Sequence, residues 1–214
     1  MFPPVTIVWP CSMSVDAYVV AGRDVEVPRP QCPSCSAPMA WWSGYRRYVR
    51  HGGSCHRIFV RRVRCGPCQQ THALLPAFVL FGRLDVVESV GAVIAEVAAG
   101  RSGVRPAAER LGVPHTTARG WWRRFEAGAA RWAAAFAALA VELGGPALSW
   151  PVEVGAGALA AMAAAWRAAL GAPGWSTLGP WRFVSAVCGG RLIATNTDSP
   201  WLIVGSRRFM PPVP

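Results

Sequence analysis

The chain has 214 residues and a formal net charge of +11, and all 22 of its basic residues are arginines. This length allows one or two domains with a proper core, and the charge favours a polyanionic partner, most simply nucleic acid. Seven cysteines, an odd number, argue against a disulfide framework. Because no segment has the ~20 apolar residues of a transmembrane helix and residues 1–12 lack the features of a signal peptide, we expect a soluble, cytoplasmic protein.

Two short elements are predicted before the first cysteine pair. Val5 to Trp9 is typical of a strand, and Ser14 is placed to cap a helix that runs to Ala21. We expect both elements to pack against the module that follows them.

Two Cys-x-x-Cys pairs dominate the first half of the chain, each with the spacing of a zinc knuckle, in which one tight turn presents two sulfurs to a tetrahedral ion. Between the pairs, residues 40–64 have strand-like sequence on either side of a glycine-rich reversal at residues 51–54. A β-hairpin there can return the second knuckle to the first. The pattern predicts a zinc ribbon with one structural Zn²⁺ per chain, bound by Cys32, Cys35, Cys65 and Cys68.

Other interpretations of these cysteines stay open. A Cys-x-x-Cys pair can act as a redox dithiol, and buried cysteines can serve a core without any metal. Near the hairpin tip, His51, Cys55 and His56 could form or compete for a metal site. A loop thiol with two surface imidazoles is the simpler interpretation of that second set.

Segment 27–84 contains nine arginines and no acidic residue. The alternation expected of the second hairpin strand places Ile58 and Val60 on one face and Arg57 and Arg61 on the other. Four thiolates around a zinc ion offset only part of the positive charge. We therefore expect a phosphate-facing surface rather than a merely solvated one, formed chiefly by Arg46, Arg47, Arg57, Arg61 and Arg62.

An apolar connector is predicted at residues 73–84, after which the periodicity becomes helical. We expect a first helix from Asp85 to Ala99, with a capping box formed by Asp85 and Glu88. Ser102 is the predicted N-cap of a second helix, and Pro114 is suited to open a third.

The residues from Pro106 to Trp121, PAAERLGVPHTTARGW, resemble the helix-turn-helix of bacterial regulators and transposases. Small Ala108 lets two helices approach, Gly112 supplies the turn, and three apolar residues, Val113, Ala118 and Trp121, would fill the core behind a third helix running from residue 115 to 125. The resemblance implies that outward residues of this helix meet DNA bases or phosphates, namely His115, Thr116, Arg119, Arg123 and Arg124. An ordinary helical hairpin within a core is the alternative.

A zinc ribbon followed directly by a helix-turn-helix is similar to the N-terminal DNA-binding region of insertion-sequence transposases and related uncharacterised bacterial proteins. The resemblance covers roughly residues 32–124. In that family a glycine often follows the second cysteine of a knuckle, whereas this chain has Ser36 and Gln69. Pro114 also replaces the usual serine cap, and Gly120 lies inside the third helix.

From Glu126 onward the sequence predicts alanine-rich helices with two apolar stripes. We expect the stripes to pack on each other, and a homodimer seam is the alternative. A short helix is predicted near Pro180 to Val187. The stripes consist of Trp132, Phe136, Leu139 and Leu143 in the first helix and Leu159, Met162, Trp166 and Leu170 in the second.

The sequence thus predicts an α+β fold, mostly α, in three parts: a flank and zinc ribbon at 1–82, a helix-turn-helix bundle with its following helix at 83–145, and an alanine-rich helical segment at 146–214. The predicted function is sequence-specific binding of duplex DNA by a nucleoid-associated protein, either a transcriptional regulator or a non-catalytic protein derived from a transposase. No small-molecule substrate and no catalytic residue is identified.

Three alternatives remain for the function. An N-terminal fragment or accessory subunit of a DDE-type transposase fits the same motifs, but strand transfer needs three carboxylates around two metal ions. An RNA-binding ribbon would stack bases on its aromatic residues, Trp41, Trp42, Tyr45 and Tyr48. A protein-interaction module would use the tryptophan-rich last third. Too few carboxylates follow the helix-turn-helix for a catalytic site: Glu126, Glu142, Glu153 and Asp198.

Overall fold

A computed structural model describes residues 6–146, 154–172 and 175–194. Over these ranges the protein is α+β, with one four-stranded sheet and six helices. The predicted fold class is therefore confirmed. Within the same ranges, no helix combines the length and the apolarity needed to cross a membrane.

A long β-hairpin forms the larger half of the sheet. Strand β2 (Met39–His51) pairs antiparallel with β3 (Ser54–Cys65), and Gly52 and Gly53 join them with φ angles of 57° and 80°. Two successive positive φ angles define a tight turn whose twist matches that of a hairpin, and glycine adopts them without strain. The predicted reversal is confirmed.

Two further strands extend the sheet on the other side of β3. Strand β4 (Thr71–Pro76) pairs antiparallel with β3, and β1 (Thr6–Trp9) pairs parallel with β4, which gives the order β1-β4-β3-β2. The predicted first strand is confirmed, apart from Val5, which lies outside the described residues. The prediction of a connector after residue 73 is wrong at its start, because β4 lies between two other strands and is apolar without alternation.

Helix α1 (Val15–Ala21) packs against the hairpin. The side chain of Ser14 accepts a hydrogen bond from the Ala17 N–H at 3.1 Å, so the predicted cap is confirmed. Buried Tyr18 donates its hydroxyl hydrogen bond to the backbone carbonyl of Phe59 in β3 at 3.0 Å. This bond fixes the position of α1 relative to the strand.

Three helices follow the sheet and pack on one another: α2 (Val87–Ala98), α3 (Val104–Arg110) and α4 (His115–Glu142). The third predicted helix was expected to end at residue 125, but it continues without a break into the alanine-rich segment. Alanine favours a helix, and glycines such as Gly120 and Gly128 cost about 1 kcal/mol each without stopping one.

Both caps predicted for α2 and α3 are wrong. No side chain caps α2, because the carboxylate of Asp85 is held by Arg50 and that of Glu88 by Arg182. No side chain caps α3 either, since the hydroxyl of Ser102 donates to the carbonyl of Gly103. Tertiary ion pairs thus take the carboxylates that the local sequence pattern assigned to a capping box.

Helix α5 (Val154–Ala169) lies along α4. Its first turn lies against Trp122, in the first half of α4, whereas Ala168 near its end lies against Gly145, just beyond α4. The two helices therefore run in the same direction. Their buried faces consist largely of small residues, which allow a close approach.

The two predicted apolar stripes pack only in part. Trp132, Phe136 and Met162 are buried, but Leu143 and Leu170 are each 37% exposed. The remaining stripe residues, Leu139, Leu159 and Trp166, are partly buried. Alanine and glycine occupy most of the α4–α5 contact in their place.

Helix α6 (Pro180–Val187), which confirms the predicted short helix, packs on α2 and β1. The ring of Trp181 occupies the space above Gly91, where an added Cβ would lie 2.1 Å from it. Arg182 donates to the Glu88 carboxylate at 2.5 Å and to the backbone carbonyls of Cys11 and Met13 at 3.1 and 2.6 Å. Helix α6, near the end of the described residues, is thereby bound to the segment between β1 and α1, near their beginning.

A buried ion pair joins the hairpin to α2. Asp85, 4% exposed, accepts hydrogen bonds from Nε and Nη2 of Arg50 at 2.6 and 3.0 Å. The backbone strengthens the junction, since the Arg50 N–H donates to the Leu84 carbonyl at 2.8 Å and the Val86 N–H donates to the Arg50 carbonyl at 3.2 Å. This bidentate arrangement holds the end of the hairpin against the start of α2.

Replacing Asp85 by Asn should destabilise the fold substantially, because Arg50 loses its charged partner in a half-buried place. We expect the free energy of unfolding to fall by about 3 kcal/mol, measured by urea denaturation. Glu109→Gln, in the exposed pair with Arg105, is the matched control and should cost less than about 0.5 kcal/mol. Equal effects of the two variants would contradict this role for the buried pair.

Candidate metal centre and nucleic-acid interface

The four cysteines of the two pairs come together at the base of the hairpin. Cys65 is the last residue of β3, and its register partner is Met39, the first residue of β2. Cys32 and Cys35, the first pair, lie at the turn before β2, and Cys68, which forms the second pair with Cys65, lies in the turn before β4. The hairpin therefore closes the two knuckles onto each other, as the spacing predicts.

The arrangement of the sulfurs fits one tetrahedral ion. The Cys32 and Cys68 Sγ atoms are 3.5 Å apart, those of Cys35 and Cys65 are 3.3 Å apart, and all four lie within 4.8 Å of one another. Sulfurs at about 2.3 Å from a common tetrahedral ion are about 3.8 Å apart. The four side chains can therefore hold one metal ion with only small adjustments.

Two of these thiols differ in how readily they ionise. Burial opposes ionisation of Cys32, but hydrogen bonds from the backbone N–H groups of Ser34 and Cys35 and from neighbouring thiols outweigh it and lower its pKa to about 7. Burial raises the pKa of Cys65 to about 12. A cation that binds here must displace the proton of Cys65, so its affinity decreases as the pH falls.

The remaining cysteines lie away from this cluster. All seven cysteines are free thiols in this structure. Cys11 and Cys188 are buried, and burial raises their pKa values to about 11 and about 12, respectively. These two behave as core residues.

His72 is a neighbour of the cluster that the sequence analysis missed. It is fully buried on β4, and its Nε2 lies 4.0 Å from the Cys32 sulfur. A histidine four residues after the last knuckle cysteine was the available signal, but β4 was not predicted as a strand. Its position allows it to orient the Cys32 sulfur from outside the four-sulfur set.

Both knuckles contain a residue with positive φ directly after the second cysteine. Ser36 has φ of 58° and Gln69 has φ of 57°, and among the described residues they are the only non-glycine residues with positive φ. The left-handed conformation costs such residues about 1–2 kcal/mol. Having Ser36 and Gln69 at these positions instead of glycine therefore adds backbone strain to the knuckles without changing their shape.

Of the second predicted set of metal ligands, the structure brings His51 and His56 together but not Cys55. Cys55 pairs with Arg50 across the hairpin, whereas His56 pairs with Val49 and His51 with Ser54. Because successive residues of a strand point to opposite faces, the Cys55 side chain lies on the face opposite to the two imidazoles. Asp16 of α1 takes its place beside them.

The first turns of α4 present the predicted DNA-contacting residues on one exposed face: His115, Thr116, Arg119 and Arg123. Behind this face, the residues expected to fill the core are buried, namely Ala108, Val113, Ala118 and Trp121. Gly112 has φ of 61°, so it makes the turn between α3 and α4 as expected.

Arg124, the fifth predicted contact in α4, is partly buried and folds back along the helix. Its Nη1 donates to the Gly120 carbonyl at 2.9 Å, and a Cβ at Gly120 would lie 2.9 Å from the same nitrogen. Gly120 therefore provides the space that Arg124 occupies. A shallow groove beside them is lined by Gly120, Arg123, Arg124 and Ala127.

The predicted hairpin arginines fall into two groups. Arg46 and Arg57 are exposed. The other three are half-buried and engaged: Arg47 donates to the Arg83 carbonyl, Arg61 to the Arg23 carbonyl, and Arg62 to the Thr71 hydroxyl. Burial lowers the pKa of Arg47.

Exposed aromatic side chains lie near these arginines along β2. Trp42 and Tyr48 are 54% and 58% exposed, and Trp41 and Tyr45 are exposed as well. Guanidinium groups lie over three of the rings, with Arg64 4.5 Å from the centroid of Trp42, Arg61 5.1 Å from Trp41 and Arg57 6.0 Å from Tyr48. Since β2 is an edge strand, this surface is open to a partner.

The carboxylates considered for catalysis do not meet in the described part of the chain. Glu126 and Glu142 lie 16 residues apart on α4, or about 24 Å along its axis. Glu153 and Asp198 lie outside the described residues. Of the residues the structure describes, the two groups able to hold a metal contain one carboxylate between them, that of Asp16.

A protein family described as a domain of unknown function (DUF6431) matches residues 32–119. The matched segment begins at the first knuckle cysteine and ends in the second turn of α4, so it includes both the four-cysteine cluster and the exposed residues that begin α4. No curated protein and no solved structure matches the chain.

Purified protein should contain one tightly held metal ion that depends on the four cysteines. Cys32→Ser removes one ligand, so it should release this ion and loosen the hairpin base. Elemental analysis and limited proteolysis would measure both effects. Cys55→Ser removes a thiol of the same hairpin outside the cluster and should retain the ion, and retention in Cys32→Ser with loss in Cys55→Ser would overturn the assignment.

Ser36→Gly should stabilise the metal-loaded protein by about 0.5–1 kcal/mol, because glycine relieves the left-handed strain at some entropic cost. Gln69→Gly should gain less, since the Gln69 side chain bonds Arg64 and the Gly66 carbonyl. Thermal unfolding would rank them. Ser54→Gly, at a strand position without positive φ, is the control and should destabilise; stabilisation by all three would show that φ is not the cause.

Proposed function

We propose that this protein binds duplex DNA in a sequence-specific manner, as a transcriptional regulator or as a non-catalytic protein derived from a transposase. The observation that carries the proposal is the exposed face at the start of α4, with His115, Thr116, Arg119 and Arg123 and no acidic residue in the first turn. Such a face can enter the major groove and reach base edges. A DNA-bound protein of this kind would be associated with the nucleoid.

The helices behind this face support the proposal. α3 and α4 are joined by a tight turn at Gly112 and pack through alanines, an arrangement typical of helix-turn-helix proteins. The N-terminal half of α4 is its most exposed polar portion, and this is the half that contacts bases in such proteins. A homodimer would present two copies of α4 to two half-sites, as many proteins of this kind do.

The hairpin arginines supply the second part of the proposed interface. Exposed Arg46 and Arg57 are suited to sequence-independent phosphate contacts. Between the hairpin and α4, Arg47 contacts the Arg83 carbonyl, and burial, followed by repulsion from Arg124, lowers the pKa of Arg83. Arg47, Arg83 and Arg124 thus lie near one another between the hairpin and α4, which favours one polyanion in contact with both.

Zinc is the ion we assign to the four cysteines. Four thiolates in a closed tetrahedral set are typical of structural zinc, which has no open coordination position for chemistry. The ion would hold the base of the hairpin, so that the arginines of β2 and β3 keep a fixed position relative to the duplex.

Arg119→Ala should reduce the binding free energy for a preferred duplex by about 1–3 kcal/mol and relax the preference for bases at its contact. The double variant in which Arg46 and Arg57 become Ala should instead weaken binding to all sequences alike. It should also reduce the slope of log K against log salt concentration by about two units. The preferred duplex would come from selection in a random pool, followed by titrations across a salt series. Arg167→Ala, at an exposed arginine of α5, is the charge-matched control.

Unchanged sequence preference in Arg119→Ala, together with its loss in the hairpin variant, would identify the hairpin as the reader and refute this division of roles.

A second candidate function is favoured by the aromatic residues of β2. Exposed rings beside arginines on an open edge strand are suited to stacking with the bases of single-stranded nucleic acid, including RNA. Duplex DNA hides its base faces, so it cannot use these rings in the same way. The two candidates therefore depend on different side chains of the same protein.

The double variant of Trp42 and Tyr48 to Ala should separate the candidates. If single strands are the partner, it should weaken their binding by about 1–3 kcal/mol for each base that loses its stacking partner and leave duplex binding unchanged. Arg119→Ala should show the opposite pattern. Titration of both variants with one single strand, its RNA equivalent and its duplex is the measurement, and duplex binding lost only with the aromatic residues would contradict our main proposal.

A further inference from the structure

We propose that Asp16, His51 and His56 form a second metal site, separate from the four cysteines, that takes a divalent transition ion such as Zn²⁺ and links α1 to the tip of the hairpin. One carboxylate oxygen and one nitrogen of each imidazole lie within 4.8 Å of one another. Two imidazoles and a carboxylate are a ligand set that zinc and similar ions accept, with open positions left for water.

The hairpin places the two imidazoles side by side. His51 pairs with Ser54 and His56 with Val49, so the two histidines are diagonal neighbours on the same face of the ladder. Their ring centroids are 6.4 Å apart. The tight turn at Gly52 and Gly53 fixes this register, because a one-residue shift would send one ring to the opposite face.

The carboxylate comes from a different element, α1, whose position on the hairpin is fixed. Asp16 is in the first turn of α1, and α1 is fixed to β3 through the hydrogen bond from Tyr18 to the Phe59 carbonyl. The Asp16 Oδ1 is 3.9 Å from Nδ1 of His56, which is too long for a hydrogen bond. Ligands at about 2.1 Å from one tetrahedral ion are about 3.4 Å apart, so the side chains need to close only slightly.

The site differs from the four-cysteine centre in strength and accessibility. The Asp16 side chain is 72% exposed and that of His56 is 21% exposed, so the carboxylate is free to reorient and the ion would remain open to solvent. Three ligands with nitrogen and oxygen donors hold zinc more weakly than four thiolates. The second ion should therefore exchange, while the first stays bound.

Nearby charge permits a cation at this place. Arg50, adjacent to His51, is on the other face of the strand and is neutralised by Asp85. Cys55 is on that other face too, so it cannot contribute its sulfur. A metal ion bound here would hold α1 to the tip of the hairpin. Together with the four cysteines at the base, it would restrain both ends of β2 and β3.

The test starts from the full chain with one equivalent of zinc in the four-cysteine centre. Calorimetric titration with Zn²⁺ should show one further equivalent, and the same titration with Co²⁺ should give no added sulfur-to-metal charge-transfer absorption. Asp16→Asn and His56→Gln should each weaken this second step more than about tenfold, because even residues that only support a ligand contribute 10–100-fold. Retention of the first zinc ion shows that each variant is folded.

Two controls make the test specific. Cys55→Ser changes the hairpin tip on the opposite face, and His115→Gln removes an exposed histidine elsewhere, so both should leave the second step unchanged. The proposal is overturned if wild-type protein takes no second equivalent, if the second step survives in both Asp16→Asn and His56→Gln, or if His115→Gln abolishes it. None of these outcomes depends on DNA binding, so failure of this proposal can be distinguished from failure of the proposed function.

Discussion

The bidentate contact between Arg50 and Asp85 is the constraint on which the arrangement of the two halves depends. It lies where the last residues of β2 meet the segment that leads into α2, and the backbone hydrogen bonds on both sides of it keep the strand and that segment in register. Because Asp85 is buried, an unpaired Arg50 or an unpaired Asp85 would be costly, so the pair specifies one docking of hairpin on helices.

The hairpin is held near its tip by this contact and at its base by the four cysteines, and the strand between them is left exposed. Residues 40–46 of β2 are all exposed, although they belong to a sheet. An edge strand of this kind normally needs protection from pairing with other chains, and here arginines lie on and between its aromatic rings. The same side chains that discourage aggregation would form part of the proposed nucleic-acid interface.

Much of the fold could be predicted from local patterns. The knuckles, the reversal at Gly52 and Gly53, the cap of α1 and the short helix α6 follow from spacing, turn chemistry and capping, which act over a few residues. Burial behind the first turns of α4 followed from helical periodicity in the same way. For the four-cysteine cluster, the order of the cysteines sufficed because the hairpin between them brings its two ends together, with Cys65 opposite Met39.

The parts that could not be predicted depend on contacts distant in sequence. Asp85 and Glu88 have the spacing of a capping box, but Arg50 and Arg182 take their carboxylates. Strand β4 lacks alternation because the successive residues Leu74, Leu75 and Pro76, which point to opposite faces, are all buried. Asp16 joins His51 and His56 only because Tyr18 fixes α1 on β3, and no pattern along the chain relates residues that far apart.

Because α4 is one continuous helix, a small rotation at one end displaces the other end by several ångströms. At 28 residues the helix is about 42 Å long, with the exposed polar turns at one end and the alanine-packed contact with α5 along the rest. A tilt of about 5° about its far end would displace the first turn by about 3.7 Å, close to the ~3.4 Å step between base pairs. If α4 reads DNA, a change of only a few degrees in its packing on α5 would displace the exposed turns by about one base-pair step.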